Sequence, residues 1–363
     1  MILVIYGTTG ELIKLSPVLV RLRQRGHTYL SATTGQQVEQ IPTLLDLVGL
    51  PQPDVWLGRG FGGRDLRSNA DIPRWFAGVA ASFGRRRTSF RRQLRRGRGD
   101  LVLVHGDTMT TVLGALMGRL IRVSVAHIES GLRSFDLFHP FPEELNRRVA
   151  SRLAAIHYAP GAWAAGNVAG GAVVDTGSNT IRDSLDLCPA DVDVPVAVPE
   201  PRFGLVSLHR FELINDRAVF ERTLRLLADE SHRTTLLFVD HPVTVAAIER
   251  FQLGGLFDTA RFVRIPRLSF FAFVSLLRRA DYLITDSGGS QEECFYLDRP
   301  CLVHRKRTER REGVDENVVL SRFDERVVRG FLADPSRFRR RTALPAGSPA
   351  DAIVDDLERR GAV

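Results

Sequence analysis

The chain has 363 residues, 44% hydrophobic and 25% charged. That length is more than one hydrophobic core usually serves and that composition is globular, which predicts two domains and excludes a largely disordered or collagen-like chain. The net charge is +8, yet of 50 lysines and arginines only Lys14 and Lys306 are lysine; the skew fits a coding bias better than a binding code, and no nucleic-acid partner is expected.

Residues 1–6 are too short and uncharged for a signal peptide, and no stretch approaches the ~18 apolar residues of a membrane span, so a cytoplasmic location is expected. Short apolar strand candidates at 2–6, 29–33, 101–105, 123–128 and 156–159 alternate with helical periodicity. A second set follows at 203–208, 235–239, 262–265, 282–285 and 301–303. The alternation predicts an α/β fold of two doubly wound, Rossmann-like domains facing across a cleft. Residues 161–201 are rich in Gly, Ala and Pro, which places the domain boundary near Gly177, with domains at 1–177 and 178–345.

Two segments lie outside the strand and helix pattern. Gly58-Arg59-Gly60-Phe61-Gly62-Gly63 follows no convincing strand and reads as a mobile loop. Arg85, Arg86, Arg87, Arg91, Arg92, Arg95, Arg96 and Arg98 crowd one predicted helix over 85–98; the run reads either as a solvated face or as a dock for an anionic membrane surface. Cys188, Cys294 and Cys301 are too few to staple the chain and have no partners at zinc spacing, so they read as buried thiols and no metal is expected.

Open α/β sheets bind ligands beyond the carboxyl ends of their strands. Here those ends carry Gly7-Thr8-Thr9-Gly10-Glu11, His105-Gly106-Asp107-Thr108, His127-Ile128-Glu129-Ser130, His209-Arg210 and Asp286-Ser287-Gly288-Gly289. Ser287, Gly288 and Gly289 would let a phosphate reach bare amides at a helix start, or would simply be a capped turn. Glu293, one turn on, could accept ribose hydroxyls, and Arg305, Arg307 and Arg310 could face the same phosphates. Lys14, rare in a chain that writes cations as arginine, suggests a need for a compact ammonium. Asp107, Glu129 and Glu143 are the carboxylates to weigh. Two of them in one apolar cleft would repel and divide acid and base roles, although each could equally be a cap or a salt-bridge partner. His209 is a general acid, a phosphate ligand or a structural histidine.

Together these segments resemble the non-hydrolysing UDP-N-acetylglucosamine 2-epimerase family over nearly the whole chain. Gly7-Thr8-Thr9-Gly10-Glu11-Leu12-Ile13-Lys14 is similar to the family's Gly-Thr-Arg-Pro-Glu-x-Ile-Lys. His105–Thr108 resembles its His-Gly-Asp-Thr, and His127-Ile128-Glu129-Ser130-Gly131-Leu132-Arg133 its His-Val-Glu-Ala-Gly-Leu-Arg. Pro142-Glu143-Glu144-Leu145-Asn146-Arg147, the Asp-Ser-Gly-Gly-x-Gln-Glu-Glu element at 286–293 and Thr308-Glu309-Arg310 follow in family order.

The resemblance implies a GT-B-type fold whose last segment, 346–363, is a helix returning to the first domain. It also implies C2 deprotonation of a UDP-sugar, expulsion of UDP to give a glycal, and re-addition with C2 inverted, without metal or other cofactor. Carried over by position, Asp107, Glu129 and Glu143 are acid/base groups, and Lys14 and His209 stabilise departing UDP. Ser287, Gly288, Gly289, Glu293 and Arg310 hold the nucleotide, with Phe273 beside uracil; a homodimer is implied too. The sequence departs at Thr9 and Gly10, where the family has Arg-Pro, at Phe211, where it has a second arginine, and at 35–38, which keep only part of its Gln-His-Arg segment. A GT-B glycosyltransferase using a UDP-sugar donor, with a membrane-associated acceptor, and a hydrolysing 2-epimerase are the alternatives.

Overall fold

The computed structural model describes every residue except Arg67, Ser68, Arg95, Arg96, Arg98, Leu137, Phe138, His139, Pro140, Ala190, Asp191, Glu200, Pro201 and Asp258. The chain forms two compact units, Met1–Leu187 with Pro345–Val363, and Cys188–Leu344.

In the first unit the strands are β1 (Ile2–Tyr6), β2 (Tyr29–Thr33), β3 (Val55–Trp56), β4 (Leu101–His105), β5 (Ser124–Ile128), β6 (Ile156–Ala159) and β7 (Ala172–Asp175). They lie parallel in the order β3-β2-β1-β4-β5-β6-β7. β1 and β4 are buried along their whole length, as expected of a parallel sheet covered by helices on both faces. Leu3, Ile5, Val102 and Val104 pack with Trp75, Val79, Phe83, Phe90 and Leu94 of the helix Ile72–Leu94. That helix carries the arginine run: Arg85, Arg86, Arg87 and Arg92 are exposed opposite its apolar stripe. Arg86 donates to Ser82 Oγ (3.1 Å) and Arg87 to the Leu120 carbonyl (2.9 Å). Arg95, Arg96 and Arg98 of the run lie outside the described residues.

The glycine-rich segment at 58–63 does follow a strand. β3 is two residues long and pairs with Ala32 and Thr33 of β2, too short to show as a pattern in sequence. The segment is also tied down: the Gly60 amide donates to the Gly35 carbonyl at 2.7 Å, and Phe61 and Arg64 pair. Gly60 has φ +51°, and a Cβ there would sit 1.7 Å from the Arg64 carbonyl oxygen, so this turn admits only glycine.

The first unit runs on to Leu187, past the boundary expected near Gly177. The physical reason is the helix Ile181–Asp186, which packs on the helix Thr9–Gln24: the Ser184 hydroxyl donates to the Ile13 carbonyl at 2.8 Å. The helix Pro349–Arg359 joins the same unit. Arg25 reaches Asp351, Asp355 and Glu358 of that helix at 2.9, 2.5 and 3.0 Å, and the buried Tyr158 hydroxyl donates to Asp356.

The second unit holds β8 (Phe203–Ser207), β9 (Thr235–Asp240), β10 (Phe262–Pro266), β11 (Tyr282–Thr285), β12 (Cys301–Val303) and β13 (Val318–Leu320), again all parallel, in the order β10-β9-β8-β11-β12-β13. Its sheet is sandwiched between two clusters, one around Phe220, Phe238, Phe262 and Phe331 and the other around Phe203, Leu205, Leu237 and Cys294. All three cysteines are buried and free. Among the described residues, no helix is long and apolar enough to cross a membrane.

Candidate active site

In each sheet the strand order reverses once, between β1 and β4 in the first unit and between β8 and β11 in the second. A doubly wound sheet opens a crevice at that point because the loops on either side run away from each other. The motif-bearing loops of the sequence sit there.

In the first unit, Glu11 fastens the two loops of the crevice. Thr8 and Glu11 form a capping box at the start of the helix Thr9–Gln24, which satisfies its first amides. Glu11 Oε2 accepts the Gly7 and Thr8 amides at 2.8 and 2.9 Å, and Oε1 accepts the Thr108 hydroxyl at 2.5 Å. Burial pushes this carboxyl above the usual range against those donors. Thr9, where the resembled family has arginine, donates through both its amide and its hydroxyl to Gln37 Oε1 at 2.7 Å.

One turn further, Lys14 forms an ion pair with Glu129, which lies just past β5. Glu129 is buried with φ +64°, a left-handed conformation that non-glycine residues keep only where their surroundings hold them. Asn179 Nδ2 donates to the same Glu129 oxygen at 2.6 Å, and His105 Nε2 is 3.8 Å from it. Asp107, past β4, receives Arg147 Nη2 at 2.5 Å, while Asn146 Nδ2 donates to its carbonyl at 2.9 Å. Both come from the helix Glu143–Leu153, whose first residue is Glu143. Glu144, fully buried beside Arg147, anchors the preceding loop by accepting the Ser134 amide at 3.0 Å.

Of the readings left open for these carboxylates, the salt-bridge partner is the one found for Asp107 and Glu129. Asp107 and Glu129 each have a cation of their own, Arg147 and Lys14. His127 is structural: its Nε2 meets the Gly106 carbonyl at 2.7 Å, and burial lowers its pKa to about 4.

In the second unit, Asp286 bridges the crevice. It is fully buried and accepts the His209 amide at 3.0 and 2.8 Å and the Arg210 amide at 2.8 Å, joining the end of β8 to the loop after β11. Burial pushes it up to about 6, opposed by those two amides. Ser287 caps the helix Gly288–Tyr296 by accepting the Ser290 amide. A Cβ on Gly288 would lie 2.9 Å from Glu309 Oε1 and 3.3 Å from Arg310 Cγ, whereas one on Gly289 would meet nothing nearer than 3.7 Å. The first glycine is thus demanded by packing, and the second leaves an open approach to the helix start, where amides and the helix dipole favour an anion.

Glu293 is buried one turn into that helix. Arg310 is buried and ion-paired with Glu292 at 3.0 Å, and Arg305 is likewise buried with Glu309 at 3.2 Å. Arg307 is exposed. His209 stacks 4.3 Å from His241. Burial, with Arg210, Arg267 and Arg305, lowers His209 to about 4; burial, His209 and Arg267 lower His241 to about 3. Both rings are neutral near pH 7. Phe273, on the helix Phe270–Arg279, packs partly buried against the core cluster of Phe203, Leu205 and Leu237. Phe211 is 65% exposed at the start of a short helix.

A profile of the family described as UDP-N-acetylglucosamine 2-epimerase matches residues 59–331. The chain belongs to that family. A probable UDP-N-acetylglucosamine 2-epimerase of Ralstonia solanacearum is 34% identical over 338 residues, covering 88% of this chain and 85% of the relative. The crystal structure of the Neisseria meningitidis UDP-GlcNAc 2-epimerase bound to UDP-GlcNAc superposes with a TM-score of 0.80 at 25% identity, covering 99% of both chains. The Methanocaldococcus jannaschii UDP-GlcNAc 2-epimerase in complex with UDP-GlcNAc and UDP does so with a TM-score of 0.76 at 25% identity, again over 99% of both. As a member of the UDP-N-acetylglucosamine 2-epimerase family the chain is a sugar-nucleotide epimerase with a two-domain, GT-B-like α/β fold, and the comparisons favour neither a transferase nor a hydrolysing enzyme.

Sequence reasoning passed over three polar groups of this arrangement. Asn179 was hidden because its partner is fifty residues away; Arg147 was quoted only as part of a motif; His241 follows β9 with no local pattern to mark it. The signal available for Asn179 and His241 was a position between a strand and a following helix; Arg147, one turn inside its helix, had none beyond the motif.

Proposed function

We propose that this chain interconverts UDP-N-acetylglucosamine and its C2 epimer, UDP-N-acetylmannosamine. A carboxylate among Asp107, Glu129 and Glu143 takes the C2 proton. The C1–O bond to UDP then breaks, its electron pair leaves with the diphosphate, and a C1=C2 double bond remains in the sugar. In the return step a diphosphate oxygen attacks C1 on the face it left, the C1=C2 electron pair takes a proton from a protonated carboxyl on the opposite face of C2, and C2 alone is inverted. A positioned base of this kind contributes about 10²–10⁴-fold, and neutralising the departing diphosphate supplies the electrostatic part.

The observation that carries this reading is the pairing of Asp107 with Arg147 and of Glu129 with Lys14 at the ends of the neighbouring strands β4 and β5. For the nucleotide, the reading assigns the amides of Ser287, Gly288 and Gly289, with Glu293, Arg310 and Phe273. His209, neutral at working pH, hydrogen-bonds the diphosphate, and Lys14 transfers its ammonium from Glu129 to the leaving group.

The test is incubation of UDP-N-acetylglucosamine with the protein in deuterated water. Deuterium at C2 of recovered nucleotide is expected by NMR and mass spectrometry; recovery without label refutes the reading. A homodimer, a cytoplasmic location and peripheral contact with anionic membranes through the exposed Arg85, Arg86, Arg87 and Arg92 are part of the same proposal. Light scattering tests the first. Salt-sensitive sedimentation with anionic but not neutral vesicles tests the last.

A further inference from the structure

Asn179 lies between β7 and the helix Ile181–Asp186, on neither of the strands that carry Asp107 and Glu129. Two structural roles are open to it, helix cap and ligand of Glu129, and the distances separate them. Its Oδ1 accepts the Ile181 amide and the Thr180 hydroxyl only at 3.4 Å each, whereas Nδ2 lies 2.6 Å from Glu129 Oε2. The short contact is the one to the carboxylate, as a charge-assisted hydrogen bond should be. The long contacts turn Oδ1 toward the helix and leave the amide NH₂ to face Glu129. The turn itself is anchored: Ser184 Oγ donates to the Thr180 carbonyl at 3.0 Å and to the Ile13 carbonyl at 2.8 Å, and Ile13 is the neighbour of Lys14.

We propose that Asn179 is a positioning residue that fixes the Glu129 carboxylate and keeps it ionised for proton exchange at the sugar. The inference rests on the epimerase reading above. Lys14 supplies charge and can be drawn away by a diphosphate; the Asn179 amide carries no charge and stays. It is therefore a donor that remains on Glu129 while the leaving group is present. Ionisable groups facing Glu129 include Lys14 from the helix Thr9–Gln24, His105 at the end of β4 and His127 on β5. Asn179 adds a fixed, non-titrating donor to these neighbours.

The isosteric Asn179→Asp variant separates this role from packing. Its new carboxyl and Glu129 will share one proton; while it is held, the acid donates as the amide did, and once it is lost two negative charges oppose each other. C2 exchange by Asn179→Asp should approach the wild-type kcat near pH 5.5 and fall about tenfold or more relative to wild type by pH 8. Asn179→Ala should lose about ten- to hundredfold in kcat at every pH, the rate equivalent of one charge-assisted hydrogen bond, with KM unchanged. A ¹³C NMR titration of the Glu129 carboxyl provides a readout independent of turnover, and Asn179→Ala should raise its midpoint by about one pH unit. An Asn179→Asp profile parallel to wild type, or a Glu129 titration unmoved in Asn179→Ala, overturns the proposal. Wild-type protein that exchanges no C2 proton overturns the epimerase reading instead, and the titration still decides whether Asn179 governs Glu129.

Discussion

Replacing Lys14 with methionine keeps the length of the side chain and removes the ammonium from Glu129. The carboxylate is only 5% exposed, so it has two responses. Remaining charged beside a lost partner costs about 3–5 kcal/mol. Taking up a proton costs roughly 3.7 kcal/mol at pH 7, the free energy of holding a carboxyl of ordinary pKa near 4.3 in its acid form. The cheaper response sets the ceiling, and the Asn179 donor lowers it, so the folded state should lose about 3 kcal/mol at neutral pH. The dependence on pH follows with its sign. In the variant the folded pKa of Glu129 lies above the unfolded one, so the folded state binds more protons and its deficit grows as pH rises, by about 1.4 kcal/mol per unit above pH 4.3, until the folded pKa is reached. The assay is urea unfolding followed by tryptophan fluorescence at pH 5, 6, 7 and 8. Trp56, Trp75 and Trp163 are the three tryptophans of the chain and all belong to the first unit, so the signal reports the unit that contains the ion pair. A deficit equal at pH 5 and pH 8 would refute the reasoning, since it would place the loss in packing and not in the charge.

Other outcomes follow from the same geometry. Asp107→Asn should lower C2 exchange by about 10²–10⁴-fold with UDP affinity by calorimetry within a few-fold of wild type; undiminished exchange would remove Asp107 from the chemistry. Gly288→Ala drives a Cβ to within 2.9 Å of Glu309 Oε1 and should destabilise the second unit by about 1–3 kcal/mol while weakening UDP binding. Urea unfolding followed by circular dichroism, with calorimetry beside it, measures both effects. His241 and His304, lowered by burial to about 3 and 4, are neutral in the folded state but protonated in the unfolded chain below pH 6.5. His209, also lowered to about 4 but with a side chain 30% exposed, adds a smaller share. Stability of the second unit should therefore climb from pH 5 to 6.5, offset in part by Asp286, whose raised pKa acts in the opposite sense up to about 6. An unfolding midpoint higher at pH 5 than at 6.5 would contradict this.

The ten strands expected from apolar runs all form, and the three that went unseen are at sheet edges. β3, β7 and β13 are only partly buried and so lack the fully buried apolar character that marked the equally short β6, β11 and β12. Among the candidate groups, Asp107, Glu129 and the loop at 286–289 were legible because a polar residue directly after a buried strand has few structural reasons to be there. What each of them touches was not legible. Lys14 meets Glu129 across 115 positions and Arg147 meets Asp107 across 40, contacts set by the order of strands in the sheet and not by any local spacing. The same limit is why repulsion and salt-bridge pairing both stayed open for these carboxylates: a sequence lists charges without saying which cation each will find.

The helix Pro349–Arg359 packs on the helix Thr9–Gln24, so the first unit is assembled from both ends of this sequence, whereas the second lies wholly within residues 188–344. During synthesis the ribosome delivers every strand of both sheets before it delivers that helix. The second unit can complete its core while the first still exposes the face awaiting Ile353, Val354 and Leu357, all fully buried in the finished protein. The first unit, although its strands are made first, cannot close its core until the last helix is delivered, a wait the second unit does not share. Truncation before Pro349 would leave the Lys14 helix without its cover and expose the first unit to proteolysis.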